Sequence, residues 1–198
     1  RKPRDLDDIL PAVEQALALI ALADHQPRVD DHLDRIRFEF TLPPQMSEKD
    51  PLIQHLVDPL VSFGLATEME VKNIFLALDE TLNNAIAYGA LGIDSSIRDD
   101  PEGHKTFQTI LGERENDPEF ADRVVRIEAS YTPEEVIFRI EDPGEGFDYR
   151  NLPDPTDPEN LLREHGRGLL LVQCFMDRVE FNSSGNAVTL VRKRQSET

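Results

Sequence analysis

Two strand-like runs, Arg123 to Tyr131 (RVVRIEASY) and Val136 to Glu141 (VIFRIE), are separated only by Thr132, Pro133, Glu134 and Glu135. Strands joined by so short a turn pair antiparallel, so a hairpin is fixed in the second half of the chain. A second hairpin is predicted at the end, where Val179 to Phe181 and Val188 to Arg192 flank Ser184, Gly185 and Asn186. Arg35 to Leu42 (RIRFEFTL) alternates Ile36, Phe38 and Phe40 with charged residues and reads as a further half-buried strand.

Helical patterns lie between these strands. Ser47, Glu48 and Asp50 precede Leu52, Ile53, Leu56, Leu60 and Val61, which predicts a helix stopping near Gly64. Thr67 with Glu70 three residues on is a capping-box pair. It opens the longest helix, whose apolar positions Val71, Ile74, Phe75, Leu78, Leu82, Ala85 and Ile86 run to a stop at Gly89. Leu169 to Met176 is apolar and helical, with Cys174 expected in the core. From Ile93 to Phe120 the sequence is acidic and broken by Pro101, Gly103 and Pro118, with helical hints around Lys105 to Glu115. It reads as an insertion, either a solvated flap or a surface for a partner. Helices segregated from an antiparallel or mixed sheet make the class α+β.

The 198 residues suit one globular domain with an extension. With 39 acidic against 21 basic side chains, the net charge of −18 repels phosphate backbones and anionic lipid, so neither nucleic acid nor a membrane surface is expected as a partner. A single cysteine cannot form an intrachain disulfide. No apolar run approaches the roughly 18 residues of a span, and no secretory pattern opens the chain, so the expected setting is the cytoplasm. The start at Arg1 without a Met suggests a piece of a longer protein.

Three short motifs carry chemistry. In Glu80-Thr81-Leu82-Asn83-Asn84-Ala85, Glu80 and Asn84 are four apart and share a helix face, although taken alone they fit a solvated polar stripe better than a site. In Asp142-Pro143-Gly144-Glu145-Gly146-Phe147-Asp148, leaving a strand, the glycines let the backbone approach a flat ligand and Asp142 offers a hydrogen-bond acceptor; a plain turn is the alternative. His165-Gly166-Arg167-Gly168-Leu169 stands before an apolar helix, whose free N–H groups could hold an anion, unless it is only a glycine linker. Neither a P-loop nor a Rossmann fingerprint is present.

In combination and order, these motifs and the Thr of Val188-Thr189-Leu190 resemble the GHKL, or Bergerat-fold, ATPases. Within that group the chain is most similar to the anti-sigma-factor serine kinases. The stretches FLALDETLNNAIAYG, IEDPGEGFD and GRGLLLVQCFMDRVEFNSSGNAVTLVRK carry the resemblance, which runs from about Arg35 to Arg194. It implies a two-layer α/β sandwich, a mixed, mostly antiparallel sheet covered on one face by helices, over residues 35–194 with the acidic insertion at 93–120. It also implies ATP and Mg²⁺ as ligands. Asn84 would present its oxygen to Mg²⁺, Asp142 would accept from the adenine amino group, and Gly144 and Gly146 would pass beside the base. Thr189 would support the Asp142 end, and Gly166, Arg167, Gly168 and Leu169 would form a lid over the phosphates. Glu80 is the candidate general base. Where related kinases often carry His-Gly-Asn after the first motif, this chain has Tyr88-Gly89-Ala90.

The implied activity is a serine/threonine protein kinase that phosphorylates an anti-sigma antagonist protein in bacterial signalling. Two other readings stand beside it. One is a non-catalytic ATP-binding module that sequesters a partner; the other is a histidine-kinase catalytic domain, which needs a phospho-accepting His on a dimerising helix pair, whereas His25 and His32 flank a linker. Asp5 to Asp24 predicts an amphipathic helix of about five turns that starts or bends at Pro11. The opening RKPRDLDDILPAVEQAL resembles the end of a response-regulator receiver domain, so residues 1–24 are expected to be a connector helix from such a domain. Capture of a sigma factor, a covalently linked receiver domain and assembly as a homodimer stay open at this level.

Overall fold

The longest helix begins as its capping box requires. Thr67 Oγ1 accepts from the Glu70 N–H at 3.3 Å, and Glu70 Oε2 accepts from the Thr67 N–H at 2.8 Å, so two donors that the first turn leaves unpaired are satisfied reciprocally. The structure is a computed structural model, and it describes residues 34–99, 102–149 and 167–195. The chain divides between Leu33 and Asp34. The connector helix expected at residues 1–24, together with His165 and Gly166, lies outside the described residues.

Five strands form one sheet: β1 (Ile36–Leu42), β2 (Val125–Tyr131), β3 (Glu135–Glu141), β4 (Arg178–Phe181) and β5 (Ala187–Lys193). Their order is β1-β2-β3-β5-β4, and all four pairings are antiparallel. The register aligns Phe40, Ile127, Ile140, Val188 and Phe181 in one row, and Phe38, Ala129, Phe138, Leu190 and Val179 in the next. These rows form the apolar face, and residues such as Ile127, Phe138 and Leu190 are fully buried. The alternate positions carry ion pairs, Arg37 with Glu39 and Glu128, and Arg139 with Glu141, as period-two alternation demands.

The helices cover the apolar face. They are α1 (Lys49–Ser62), α2 (Glu68–Asn84), α3 (Gly103–Glu115) and α4 (Arg167–Phe175). Ile53, Leu56 and Leu60 of α1 and Ile74, Leu78 and Leu82 of α2 are completely buried at helical spacing. α2 packs against both α1 and α4. Tyr131 ties the sheet to α1 by donating its buried hydroxyl to the Leu56 carbonyl at 2.7 Å, and burial raises the pKa of that phenol. The fold is thus α+β, a helical layer on an antiparallel sheet.

Two expectations need correction. The stretch 93–120 is not a solvated flap: α3 buries Phe107 and Leu111, one turn apart, and Phe107 meets Tyr88 edge-on with ring centroids 6.2 Å apart. Arg114 donates to the Leu91 carbonyl at 2.6 Å, and Glu115 accepts from the Met46 N–H at 2.7 Å, so the insertion is fastened at both sides. Cys174, expected in the core, is exposed because Val172 and Met176 take the inward positions around it. Among the described residues no helix is long and apolar enough to cross a membrane.

Candidate functional site

The C-terminal half of α2 carries two adjacent asparagines that the fold treats differently. Asn83 donates to Asp79 Oδ2 at 3.1 Å, and Asp79 in turn pairs with Lys49 of α1, which also reaches Asp50 at 2.8 Å. Asn84 is half-buried, and its carboxamide makes no hydrogen bond to any described residue. A polar group left open in mid-helix costs helix stability and gives the fold nothing in return. Its oxygen therefore suits an outside ligand.

Immediately after Asn84 the helix widens into a π-helical turn, Ala85–Ala90. Such turns are rare and cluster at functional sites. Here the turn carries Gly89 up to the end of β3. A Cβ on Gly89 would fall on the carboxyl of Asp142, and one on Gly144 would lie 2.8 Å from Asp142 Oδ1 and 2.9 Å from the Gly89 carbonyl. The backbone of two elements thus closes on one carboxylate. Asp142 Oδ1 accepts from the Gly144 N–H at 2.8 Å, which leaves Oδ2 for a ligand donor. Burial pushes the Asp142 pKa up to about 6; the Gly144 N–H works against that rise and the charge of Glu141 adds to it.

The loop leaving Asp142 is held by the turn between β4 and β5. Gly146, at φ +83°, lies against the Ser184 carbonyl and the Asn186 N–H, and Gly185, at φ +82°, lies against the Phe147 backbone. Both positions combine a left-handed backbone with no room for a side chain, so only glycine fits. Phe147 meets Phe181 edge-on at 5.4 Å and Tyr149 stacks on it at 5.0 Å, which anchors the far end of the loop on β4.

α4 runs antiparallel to α2. Gly168, in its first turn, stands against Glu80, and a Cβ there would overlap the Glu80 carboxyl. At the other end, Cys174 and Phe175 share a cleft with Glu70 and Asn73. Leu169 is half-buried against the core. Arg167 opens α4, whereas Gly166, which the resemblance also assigns to a lid, is not among the described residues.

The structure brings together Asp142, Gly144 and Gly146 in one loop, and Glu80 and Asn84 on one face of α2, with Glu80 against Gly168 of α4. It does not bring Thr189 to Asp142. Thr189 is the cross-strand partner of Arg139 and Glu180, on the sheet face opposite the helices, because Val188 and Leu190 take the inward positions on either side. The support expected of it comes from Asn186, whose carbonyl accepts from the Asp142 N–H and whose Nδ2 donates to the Asp142 carbonyl, both at 3.0 Å. The Asn-Ser-Ser-Gly-Asn run between two strands was the signal available for this role, since Asn side chains in turns bond neighbouring backbone.

Mg²⁺ fits this site by the chemistry of its donors. It takes oxygen ligands, commonly one or two from protein with phosphate and water completing the octahedron, and the open oxygen of Asn84 is such a ligand.

No curated protein matches the chain. Residues 112–192 match the family model of the histidine kinase-like ATPase domain. The match spans β2, β3, the Asp142 loop, α4 and the final hairpin, whereas Glu80 and Asn84 on α2 precede it. With the α+β sandwich and the glycine-lined loop after β3, that match makes residues 112–192 of this chain similar to the histidine kinase-like ATPase domain.

Proposed function

We propose that the protein is a serine/threonine kinase of the anti-sigma type, transferring the terminal phosphoryl group of Mg-ATP to an anti-sigma antagonist protein in the bacterial cytoplasm. The observation that carries this is the shared helix face of Glu80 and Asn84, a carboxylate one turn from an open carboxamide, beside the backbone of Gly168. The stretches that resemble the anti-sigma kinases support the choice of serine or threonine as acceptor.

In this reading Asp142 accepts from the adenine amino group through Oδ2, while Gly144 and Gly146 keep the backbone low enough for the base. Asn84 would hold Mg²⁺, which would draw charge from the phosphate oxygens. The first turn of α4 directs unpaired N–H groups at the phosphates. Glu80 takes the proton of the acceptor hydroxyl as its oxygen bonds to the terminal phosphorus, and the bond from that phosphorus to the bridging oxygen breaks, leaving ADP.

The test is label transfer from terminally labelled ATP to a candidate antagonist protein. Acid-stable phosphoserine or phosphothreonine is the expected product. Acid-labile phosphohistidine would make the protein a histidine kinase, and nucleotide binding with no transfer to any candidate would favour a module that sequesters its partner.

A further inference from the structure

Asp142 lies just beyond the last ladder pair of β3 and β5, Glu141 with Ala187, so its outward carbonyl has no strand to bond. A single side chain catches it. Asn186 holds Asp142 on both sides: its carbonyl accepts from the Asp142 N–H and its Nδ2 donates to the Asp142 carbonyl. The orientation of that amide is fixed by Asn182, whose Nδ2 donates to Asn186 Oδ1 at 2.8 Å, leaving the Asn186 donor facing Asp142. Asn182 is fixed in turn, because its own Oδ1 accepts from the N–H groups of Gly185, Asn186 and Ala187 at 2.8, 3.1 and 3.2 Å. The interlocked glycines 146 and 185 close the same contact from the other side.

We infer that Asn186, oriented by Asn182, is the positioning residue of the nucleotide site, aiming the Asp142 carboxylate at the base by clamping its backbone. This rests on Asp142 reading the base, as proposed above. The physical basis is that a carboxylate at a strand end has a freely turning peptide after it unless the carbonyl is held, and an acceptor that must be reoriented on binding loses affinity to the cost of ordering it. A loop that merely closed a hairpin would need the Asn182 bonds to the turn N–H groups, but not the bond that leaves the turn for Asp142.

Calorimetric titration with Mg-ADP of the wild type, Asn186→Ala, Asp142→Ala and the double variant tests the inference. We expect Asn186→Ala to bind about tenfold more weakly, the scale of one hydrogen bond. We also expect the double variant to bind no more weakly than Asp142→Ala alone, since there is then no carboxylate left to aim. Multiplying losses in the double variant, or wild-type affinity in Asn186→Ala, would overturn it. Should Asn186→Ala not fold, Asn186→Asp keeps the shape and the Asn182 bond and places an acceptor against the Asp142 carbonyl; the same loss, likewise absent without Asp142, is expected. A wild-type protein that does not bind Mg-ADP would sink the reading of the site and this inference together, whereas a wild type that binds, with variants that bind equally, would sink the positioning role alone.

Discussion

The carboxylate of Asp142 occupies the space into which a side chain on Gly89 would project. Two motifs far apart in the chain therefore meet at one point, and the glycine after Tyr88 shapes the surroundings of Asp142 although it contributes no functional group. Gly89 does not adopt a positive φ, so backbone strain does not explain its presence. On helix propensity alone, alanine would be better by up to ~1 kcal/mol. The opposite outcome is expected: Gly89→Ala should displace the Asp142 carboxyl and weaken Mg-ADP binding about tenfold or more, measured by calorimetry. Unchanged affinity would mean that the carboxylate can move aside freely and does not anchor the base.

The titration of Asp142 gives the site a pH dependence. Burial raises its pKa from the ordinary 3.8 to about 6, against the Gly144 N–H and with help from Glu141. The folded protein thus holds this proton more tightly than the unfolded chain. The contribution to stability is greatest below the unfolded value and is lost as pH rises through about 6. An adenine amino donor favours the ionised form, so binding must expel the proton. Mg-ADP affinity should rise with pH to about 6 and level off above it, with Asp142→Asn abolishing that rise. A flat profile in the wild type would remove Asp142 from contact with the donor.

Asn83 and Asn84 should separate stability from binding. Asn83 is bonded into the Asp79 and Lys49 pairing that joins α2 to α1, so Asn83→Ala should lower the unfolding free energy by about 1 kcal/mol with little effect on nucleotide affinity. Asn84 has no described partner to lose. Asn84→Ala should leave thermal stability near the wild-type value yet abolish the gain in affinity that Mg²⁺ confers. Persistence of that gain would show that the metal is held elsewhere.

How far the sequence disclosed all this depended on whether a feature was local. Strand alternation around Phe38 and Phe40, and the Thr67 and Glu70 cap, are set by neighbours in the chain and could be read directly. Motif order puts Thr189 at the Asp142 end, whereas counting by twos from Val188 and Leu190 puts it on the other face, where the structure has it. Phe107 stands among polar and basic neighbours, His104, Lys105, Thr106, Gln108 and Thr109, and it is buried against Tyr88, a partner in a separate segment. The meeting of Gly89 with Asp142 and the clamp by Asn186 are relations between separate elements, and no periodicity within either element encodes them.

The burial of Phe107 makes the insertion part of the fold, and that can be measured. Phe107→Ala removes a ring that is 2% exposed and leaves a cavity beside Tyr88. A loss of about 3–5 kcal/mol in denaturant unfolding is expected. A change below ~1 kcal/mol would show that α3 is dispensable to the domain.

Glu80 is where the kinase reading meets its sharpest test. Its carboxylate faces the first turn of α4 and stands one helical turn before Asn84, and the proposed mechanism has it act on the acceptor hydroxyl and not on the base. A group that takes a proton in the transition state contributes little to ground-state nucleotide binding. Glu80→Gln keeps the size and most of the hydrogen bonding of the side chain while removing its basicity. Phosphoryl transfer to a competent antagonist protein should fall by roughly 10² to 10⁴, with Mg-ADP affinity nearly unchanged. The control is Gly168: Gly168→Ala pushes a methyl group into the Glu80 carboxyl, so it should also slow transfer although it adds no charge and removes no donor. If Glu80→Gln transfers at the wild-type rate while Gly168→Ala does not, the α4 turn, not the carboxylate, is what the reaction requires.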